Sequence, residues 1–166
     1  MNVIHDIRTP LGKMVMAGEG QTLTGLWFCG QQYERAGLQD GCTDGWLPVF
    51  AQTEKWLDIY FQGKNPGFLP EISFPKGTPF QKMVWEILLS IPYGETMTYG
   101  EIAKIVAARR GISRMSAQAV GQAVGYNPIG ILVPCHRVVG SDRSLTGYAG
   151  GMDKKQKLLE LEGIIL

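Results

Sequence analysis

The spacing of hydrophobic and polar positions changes along the chain, and those changes divide it. Leu11–Ala17 and Leu23–Phe28 are rich in apolar, β-compatible residues on either side of Gly18-Glu19-Gly20. Runs of this length broken by glycine predict a hairpin, with a loop longer than the tightest type. From Pro48 to Phe61 the period becomes helical, with Val49, Phe50, Thr53, Trp56, Leu57, Tyr60 and Phe61 largely on one face and Gly63 as a stop. Gly63-Lys64-Asn65-Pro66-Gly67, followed by Pro70 and Pro75, reads as a linker. The expected division is a small α/β unit over residues 1–75 and a second unit over 76–166.

The second half carries stronger local signals. Thr78-Pro79 is a cap followed by proline, and Phe80, Met83, Val84, Ile87, Leu88 and Ile91 then repeat at helical spacing until Pro92-Tyr93-Gly94 ends the run. Thr98-Tyr99-Gly100-Glu101 matches a capping box, opening a helix with Ile102, Ile105 and Val106 inward. Beyond Arg109-Arg110-Gly111, Ser113 or Ser116 is placed to cap a further helix with Val120, Ala123 and Val124 inward. Two short helices joined through a glycine predict a helix-turn-helix. The second of them, Ser116-Ala117-Gln118-Ala119-Val120-Gly121-Gln122-Ala123, is built of small residues, which suit either tight helix packing or close approach to another surface.

Charge changes the picture next. Residues 1–75 hold five Lys/Arg against eight Asp/Glu, and residues 76–166 hold eleven against seven, so a net charge of +1 hides −3 and +4. Lys104 to Lys157 includes nine basic residues opposed only by Asp142 and Asp153. Such an excess suits either a solvated face or a polyanionic partner, where counterion release adds to affinity. With the small-residue helix among these charges, docking of that helix on DNA is the better reading. No apolar run approaches the roughly 18 residues of a membrane span, and the N-terminus lacks a secretory signal. A soluble, cytoplasmic chain is expected. Cys29, Cys42 and Cys135 are odd in number with no CxxC pair, and His5 and His136 are the only histidines. Neither a disulfide framework nor a metal site is read, and no cofactor is expected.

The chemical candidate lies in Asn127-Pro128-Ile129-Gly130-Ile131-Leu132-Val133-Pro134-Cys135-His136-Arg137-Val138. An inert buried thiol is the ordinary fate of a lone cysteine in apolar surroundings. Two features argue otherwise: a histidine follows directly, and the basic stretch favours thiolate over a free-cysteine pKa of about 8.5. Adjacent residues of an extended chain face opposite ways, so the two side chains need a bridging water or a local turn to communicate. That suits a thiol which loses its proton once and attacks better than it suits a hydrolytic cycle.

Pro134-Cys135-His136-Arg137-Val138 resembles the active-site signature of the O6-alkylguanine-DNA alkyltransferases. The likeness runs from Thr78 to Leu166, including Asn127-Pro128, Gly147-Tyr148-Ala149-Gly150-Gly151 and Leu158-Leu159 through Glu162-Gly163. It implies an α+β protein with a ribonuclease-H-like α/β N-terminal domain and a mainly helical C-terminal domain carrying a winged helix-turn-helix. It implies that Cys135 is the nucleophile that takes the alkyl group of O6-alkylguanine, with O4-alkylthymine a further candidate substrate. His136 would be the base through a water, Glu162 would hold the imidazole, and Asn127 would brace the turn. Tyr99 would donate to the leaving guanine and help rotate the nucleotide out. The Cys135 and Val138 carbonyls would read the guanine amino group, Tyr148 and Ala149 would line the pocket, and Lys155 would stand near it. Ala117, Gln118, Ala119, Arg114 and Arg137 would face the DNA, although Arg137 orders the site more readily than it reacts.

The chain departs from the family pattern where the recognition helix carries an intercalating arginine, because the position here is Gln118. Gln can hydrogen-bond an orphaned base but has neither the charge nor the stacking plane of Arg. Gly130, where some relatives carry proline, implies an altered pocket wall. The expected partner is double-stranded DNA containing alkylated guanine, met by a monomer. Two other readings use the same residues: a non-catalytic binder of alkylated DNA, which the retained Cys135 argues against, and a cysteine hydrolase indifferent to DNA.

Overall fold

β1 (Asn2–Thr9), which the hydrophobic pattern does not mark, pairs on both of its edges. In the computed structural model, which describes residues 2–31 and 41–165, the first sheet has the order β3-β2-β1-β4. β2 is Gly12–Glu19, β3 is Thr22–Phe28 and β4 is Cys42–Asp44. β1 and β3 run antiparallel to β2, and β4 runs parallel to β1. His5 therefore sits within a strand. The β2–β3 register closes at Glu19↔Thr22, so the loop is the two residues Gly20-Gln21 rather than a longer one. Gly20 supplies the left-handed conformation that this tight turn needs (φ 61°).

α1 (Pro48–Tyr60) follows the predicted period and buries Val49, Phe50, Thr53, Trp56, Leu57 and Tyr60. Ile4, Val15, Ala17 and Trp27 form a buried apolar cluster in the same unit. The outer edge of β3 is not left open. Leu23 N donates to Glu71 O at 2.8 Å and its carbonyl accepts from Ser73 N at 3.0 Å, so part of the expected linker is tied to the sheet. Further along, Leu26 N donates to Pro128 O and Gly130 N donates to Leu26 O, both at 2.9 Å. Covering an edge in this way satisfies its amides and blocks pairing with other chains. Residues Pro128–Leu132 accordingly belong to this first unit, with the chain up to Lys76.

The second unit comprises Gly77–Asn127 and the chain from Val133 onward. α2 (Pro79–Leu89) starts at a capping box, in which Thr78 accepts from Gln81 N and Gln81 reaches back to Thr78 N. It stops at Leu89, short of Ile91, because a residue before proline disfavours the helical conformation. β5 (Met97–Thr98) leads into α3 (Tyr99–Arg110), with the expected Thr98–Glu101 capping box and Gly111 as a left-handed C-cap. α4 (Ala117–Gly125) is capped by Ser116, whose side chain accepts from Ala119 N, and it buries Val120, Ala123 and Val124. Trp85 Nε1 donates to Ala123 O at 2.8 Å, fixing α4 against α2. A 3₁₀ turn (Cys135–Arg137), β6 (Val138–Val139) and α5 (Met152–Leu161) complete the unit. β6 pairs in parallel with β5, matching Met97 to Val138 and Thr98 to Val139. That pairing sets the start of α3 beside the turn carrying Cys135. No helix among the described residues is long and apolar enough to cross a membrane.

Thr98 ends β5 and caps α3, so its hydroxyl holds a junction as well as a helix. Thr98→Ala is expected to lower unfolding free energy by about 1 kcal/mol, measured by urea denaturation. An unchanged midpoint would show that the cap does not contribute.

Candidate active site

The peptide that carries Cys135 is folded back on itself, not extended. Pro134 adopts φ −82°, ψ 63°, and Cys135 N donates to Val133 O at 2.8 Å, which is an inverse γ-turn. Asn127 Nδ2 donates to the same carbonyl, also at 2.8 Å, and is buried. The amide of Asn127 thus clamps the two ends of the second unit's chain where residues 128–132 leave it. Arg137 N donates to Pro134 O at 3.0 Å and Val138 N donates to Cys135 O, so residues 135–137 form one 3₁₀ turn. Cys135 and His136 therefore sit on a turn, and the opposite-facing geometry of an extended chain does not apply to them. Cys135 is 7% exposed and His136 is fully buried.

Glu162, at the C-terminal end of α5, collects the polar groups of the site. Its Oε2 lies 2.6 Å from His136 Nε2, while Oε1 accepts from Arg137 Nε at 2.8 Å and Gly94 N at 3.0 Å. Burial alone would raise this carboxyl. The hydrogen bonds and charges of His136 and Arg137 together outweigh burial and hold it at about 2. Burial pushes the His136 imidazole below its ordinary value, against the pull of Glu162. The resulting state is an ionised carboxylate accepting from a neutral imidazole at Nε2, which leaves Nδ1 as the basic nitrogen.

Arg137 corrects an expectation. It was placed with the DNA-facing residues, but its side chain is 8% exposed and turned inward. Besides Glu162 it donates through Nη1 to Ile91 O at 2.8 Å, and its guanidinium lies over the Tyr93 ring at 5.7 Å. Its Nε and Nη1 donors are spent on internal acceptors, and little of the side chain reaches the surface. Lys155 is fully buried as well. Two of the nine basic residues counted between Lys104 and Lys157 are therefore internal.

The thiol is corrected too. Burial pushes Cys135 up, and the Asn127 hydrogen bond, the Lys155 charge and its own backbone only partly offset this. In the protein alone Cys135 is a protonated thiol, not the thiolate that the basic surroundings suggested, because desolvation of the anion outweighs the nearby charge. Lys155 is pulled down to about 8 by burial, with the Cys135 sulfur opposing. Its ammonium donates to Val138 O at 2.6 Å, Thr146 Oγ1 at 3.2 Å and Gly147 O at 3.5 Å.

Tyr99, first residue of α3, is half-buried, and its hydroxyl lies 3.0 Å from Thr146 Oγ1. Burial raises its phenol, partly offset by Thr146, so it is a proton donor at neutral pH. Tyr99 stands beside α4 at Gly121, where an added Cβ would lie 3.7 Å from its ring. Tyr148 and Ala149 are half-buried, and burial together with the Cys135 sulfur raises the Tyr148 phenol well above the ordinary range. On α4, Ala117 and Gln118 are exposed and Ala119 is half-buried. Arg114 is exposed and precedes the helix. Sequence reasoning missed Thr146, Gly94 and Ile91, each of which enters through contacts distant in the chain.

Fold and site define a helix-turn-helix domain built around a buried cysteine–histidine–glutamate centre, attached to a small sheet-and-helix unit. The chain belongs to the 6-O-methylguanine DNA methyltransferase family: residues 79–164 match its DNA binding domain and residues 3–69 its ribonuclease-like domain. It is 46% identical over 157 residues to the methylated-DNA–protein-cysteine methyltransferase of Mycobacterium leprae, covering 93% of this chain and 88% of that protein. The protein of the same name in Methanosarcina acetivorans is 40% identical, with 93% and 94% covered. Among solved structures, that of Mycobacterium tuberculosis OGT in complex with DNA superposes with a TM-score of 0.83 at 42% identity, covering 96% of this chain and 92% of that one. The two matched segments agree with the α+β architecture and ribonuclease-like first unit expected from sequence.

Acid should weaken this centre in two stages. His136 has a folded value below 6.5, so its contribution to stability is complete above about 6.5 and declines as pH falls through that value. Glu162 is lowered from 4.5 to about 2, so its contribution is complete above the first value and is lost on descending to the second. Urea denaturation across both windows is expected to show stability falling in each. Glu162→Gln should be less stable at neutral pH by roughly 3 kcal/mol, since the buried guanidinium loses its counter-charge, and should lose the lower window. Identical pH profiles for the two proteins would refute the assignment.

Proposed function

We propose that this chain repairs DNA by transferring a methyl or other alkyl group from O6 of a damaged guanine to Cys135, irreversibly and once per molecule. The observation that carries the reading is the turn holding a buried Cys135 directly before His136, with that imidazole held at Nε2 by an ionised Glu162. Sulfur forms a bond to the alkyl carbon as the carbon–O6 bond breaks. The thiol proton passes through a water to His136 Nδ1, the leaving guanine takes a proton from Tyr99, and solvent restores both groups. One proton leaves sulfur and one arrives on guanine, so the reaction balances without a cofactor. The product thioether is not a leaving group for water, and the protein is consumed.

The resting thiol fits this scheme. A neutral sulfur avoids an unpaired buried charge before substrate binds, and deprotonation accompanies a bound alkyl group. The carbonyls of Cys135 and Val138 each accept one internal donor and keep a second lone pair for the guanine amino group. Tyr148 and Ala149 line the same pocket. Asn127 braces the Cys135 turn, and Lys155 orders the Val138 carbonyl and the 146–147 backbone.

DNA reaches this pocket only with the nucleotide extruded, at an unstacking cost of a few kcal/mol. The exposed start of α4, Ala117-Gln118 with Ala119, has side chains short enough for close approach, and Gln118 is placed to replace the extruded base. Exposed Arg109, Arg110 and Arg114 supply phosphate contacts nearby. The partner is duplex DNA containing O6-alkylguanine, bound by a monomer in the cytoplasm. Affinity should fall with salt and depend little on sequence.

Incubation with an oligonucleotide containing O6-methylguanine is expected to add the mass of one methyl group per chain, mapped to Cys135, with no further turnover at excess substrate. Cys135→Ser should bind the oligonucleotide and leave the lesion intact. Binding by the unaltered chain without methyl uptake would contradict the transfer and leave a non-catalytic lesion binder.

A further inference from the structure

Behind Tyr99 lies a short chain of polar groups that neither the charge pattern nor the motif reveals. Lys155 is fully buried, and a charged ammonium has hydrogens to give and no lone pair to receive. Its contact with Thr146 Oγ1 at 3.2 Å therefore runs in one direction only, from lysine to threonine. The same Oγ1 lies 3.0 Å from the Tyr99 hydroxyl, where either oxygen can donate. The lysine breaks that symmetry. A hydroxyl that accepts from a cation is polarised into a stronger donor and a poorer second acceptor. With Thr146 giving its single hydrogen to the tyrosine oxygen, the phenol hydrogen is left without an acceptor among the described residues.

We propose that Thr146 is a positioning residue for the transfer: it fixes the direction of the Lys155–Thr146–Tyr99 hydrogen bonds so that the phenol O–H points away from the protein and toward the departing guanine. The proposal rests on the alkyl-transfer reading and on Tyr99 as the donor within it. As the carbon–O6 bond breaks, its electron pair stays with guanine, which takes the phenol hydrogen. The developing phenolate meets the Thr146 O–H with the Lys155 charge behind it, and solvent later restores the phenol.

The surroundings are shaped for this placement. A Cβ on residue 140 would stand 3.2 Å from Thr146 Cγ2 and 2.8 Å from Ser144 Oγ, so Gly140 leaves the room in which the threonine sits. The lysine is held from its other side by Val138 O at 2.6 Å. Both ends of the chain are thus fixed, one by β6 and the other by the first turn of α3.

The test compares two reactions of Cys135 in one protein. Methyl transfer from an O6-methylguanine oligonucleotide needs a protonated leaving group, whereas methylation by methyl iodide releases iodide and does not. Both are followed at Cys135 by peptide mapping, because Cys29 and Cys42 are exposed. Thr146→Val keeps the shape and removes the hydroxyl. It should slow transfer from DNA by about ten-fold or more, part of the ~100-fold or greater effect typical of a general acid, with methyl iodide reactivity and DNA affinity unchanged. Thr146→Ser should restore most of the rate. In a Tyr99→Phe background, Thr146→Val should cause no further slowing, because the two residues act as one unit.

Equal slowing with both reagents, a serine variant as slow as the valine one, or full persistence of the effect without the phenol would each overturn the proposal, as would a Thr146→Val protein as fast as the original. If Thr146→Val does not fold, Thr146→Ala gives the same comparison. Failure of the unaltered chain to take up methyl from the lesion at all is a different result and would remove the alkyl-transfer reading itself.

Discussion

The second unit depends on one buried carboxylate remaining ionised. Glu162 accepts from His136, Arg137 and the Gly94 amide, and these donors arrive from the Cys135 turn and from the loop after α2. A buried anion is costly unless its lone pairs are filled by good donors. Here His136, Arg137 and Gly94 supply such donors, and the guanidinium is also the counter-charge. The same bonds order the imidazole next to the reactive sulfur, so structural stability and the chemistry of the site are set by one group. Removing it would leave Arg137 buried without its anion and His136 without a fixed tautomer.

Burial also decides what the site can do before substrate arrives. Cys135 and His136 are both driven toward their neutral forms, and the nearby lysine does not reverse this for the thiol. A thiol kept neutral in this way reacts more slowly with adventitious electrophiles and oxidants, because the thiolate is the reactive form. The cost is a reaction that requires the alkyl carbon and a path to the base to be present together. Such a centre suits a single committed event better than a repeated cycle.

Local signals were legible in the sequence and distant ones were not. The Thr98–Glu101 capping box lies within four residues, and the structure reproduces it along with the inward face of α4. The period of α1 was equally plain. β1 was missed because Val3-Ile4-His5-Asp6-Ile7-Arg8 mixes ionisable and apolar residues without strict alternation, and its burial comes from the neighbours on either side. The apolar run before Pro134 looked like part of the active-site approach, yet Pro128–Leu132 is tied to β3, and nothing in five residues names a partner a hundred positions away. The family resemblance set Arg137 among the DNA-facing residues. Its partner Glu162 is 25 residues further on, and only the fold shows the guanidinium turning inward. Thr146 gave no sign at all, because its significance lies in standing between Lys155 and a tyrosine 47 residues earlier.

The chemistry of the site turns most directly on the protonation of His136. Nitrogen chemical shifts of this imidazole, from long-range proton–nitrogen correlation spectra of the isotopically labelled protein at neutral pH, report which nitrogen carries the hydrogen. The structure predicts a neutral ring with its hydrogen on Nε2, toward Glu162, and an unprotonated Nδ1. A ring protonated on both nitrogens, or carrying its hydrogen on Nδ1, would contradict it.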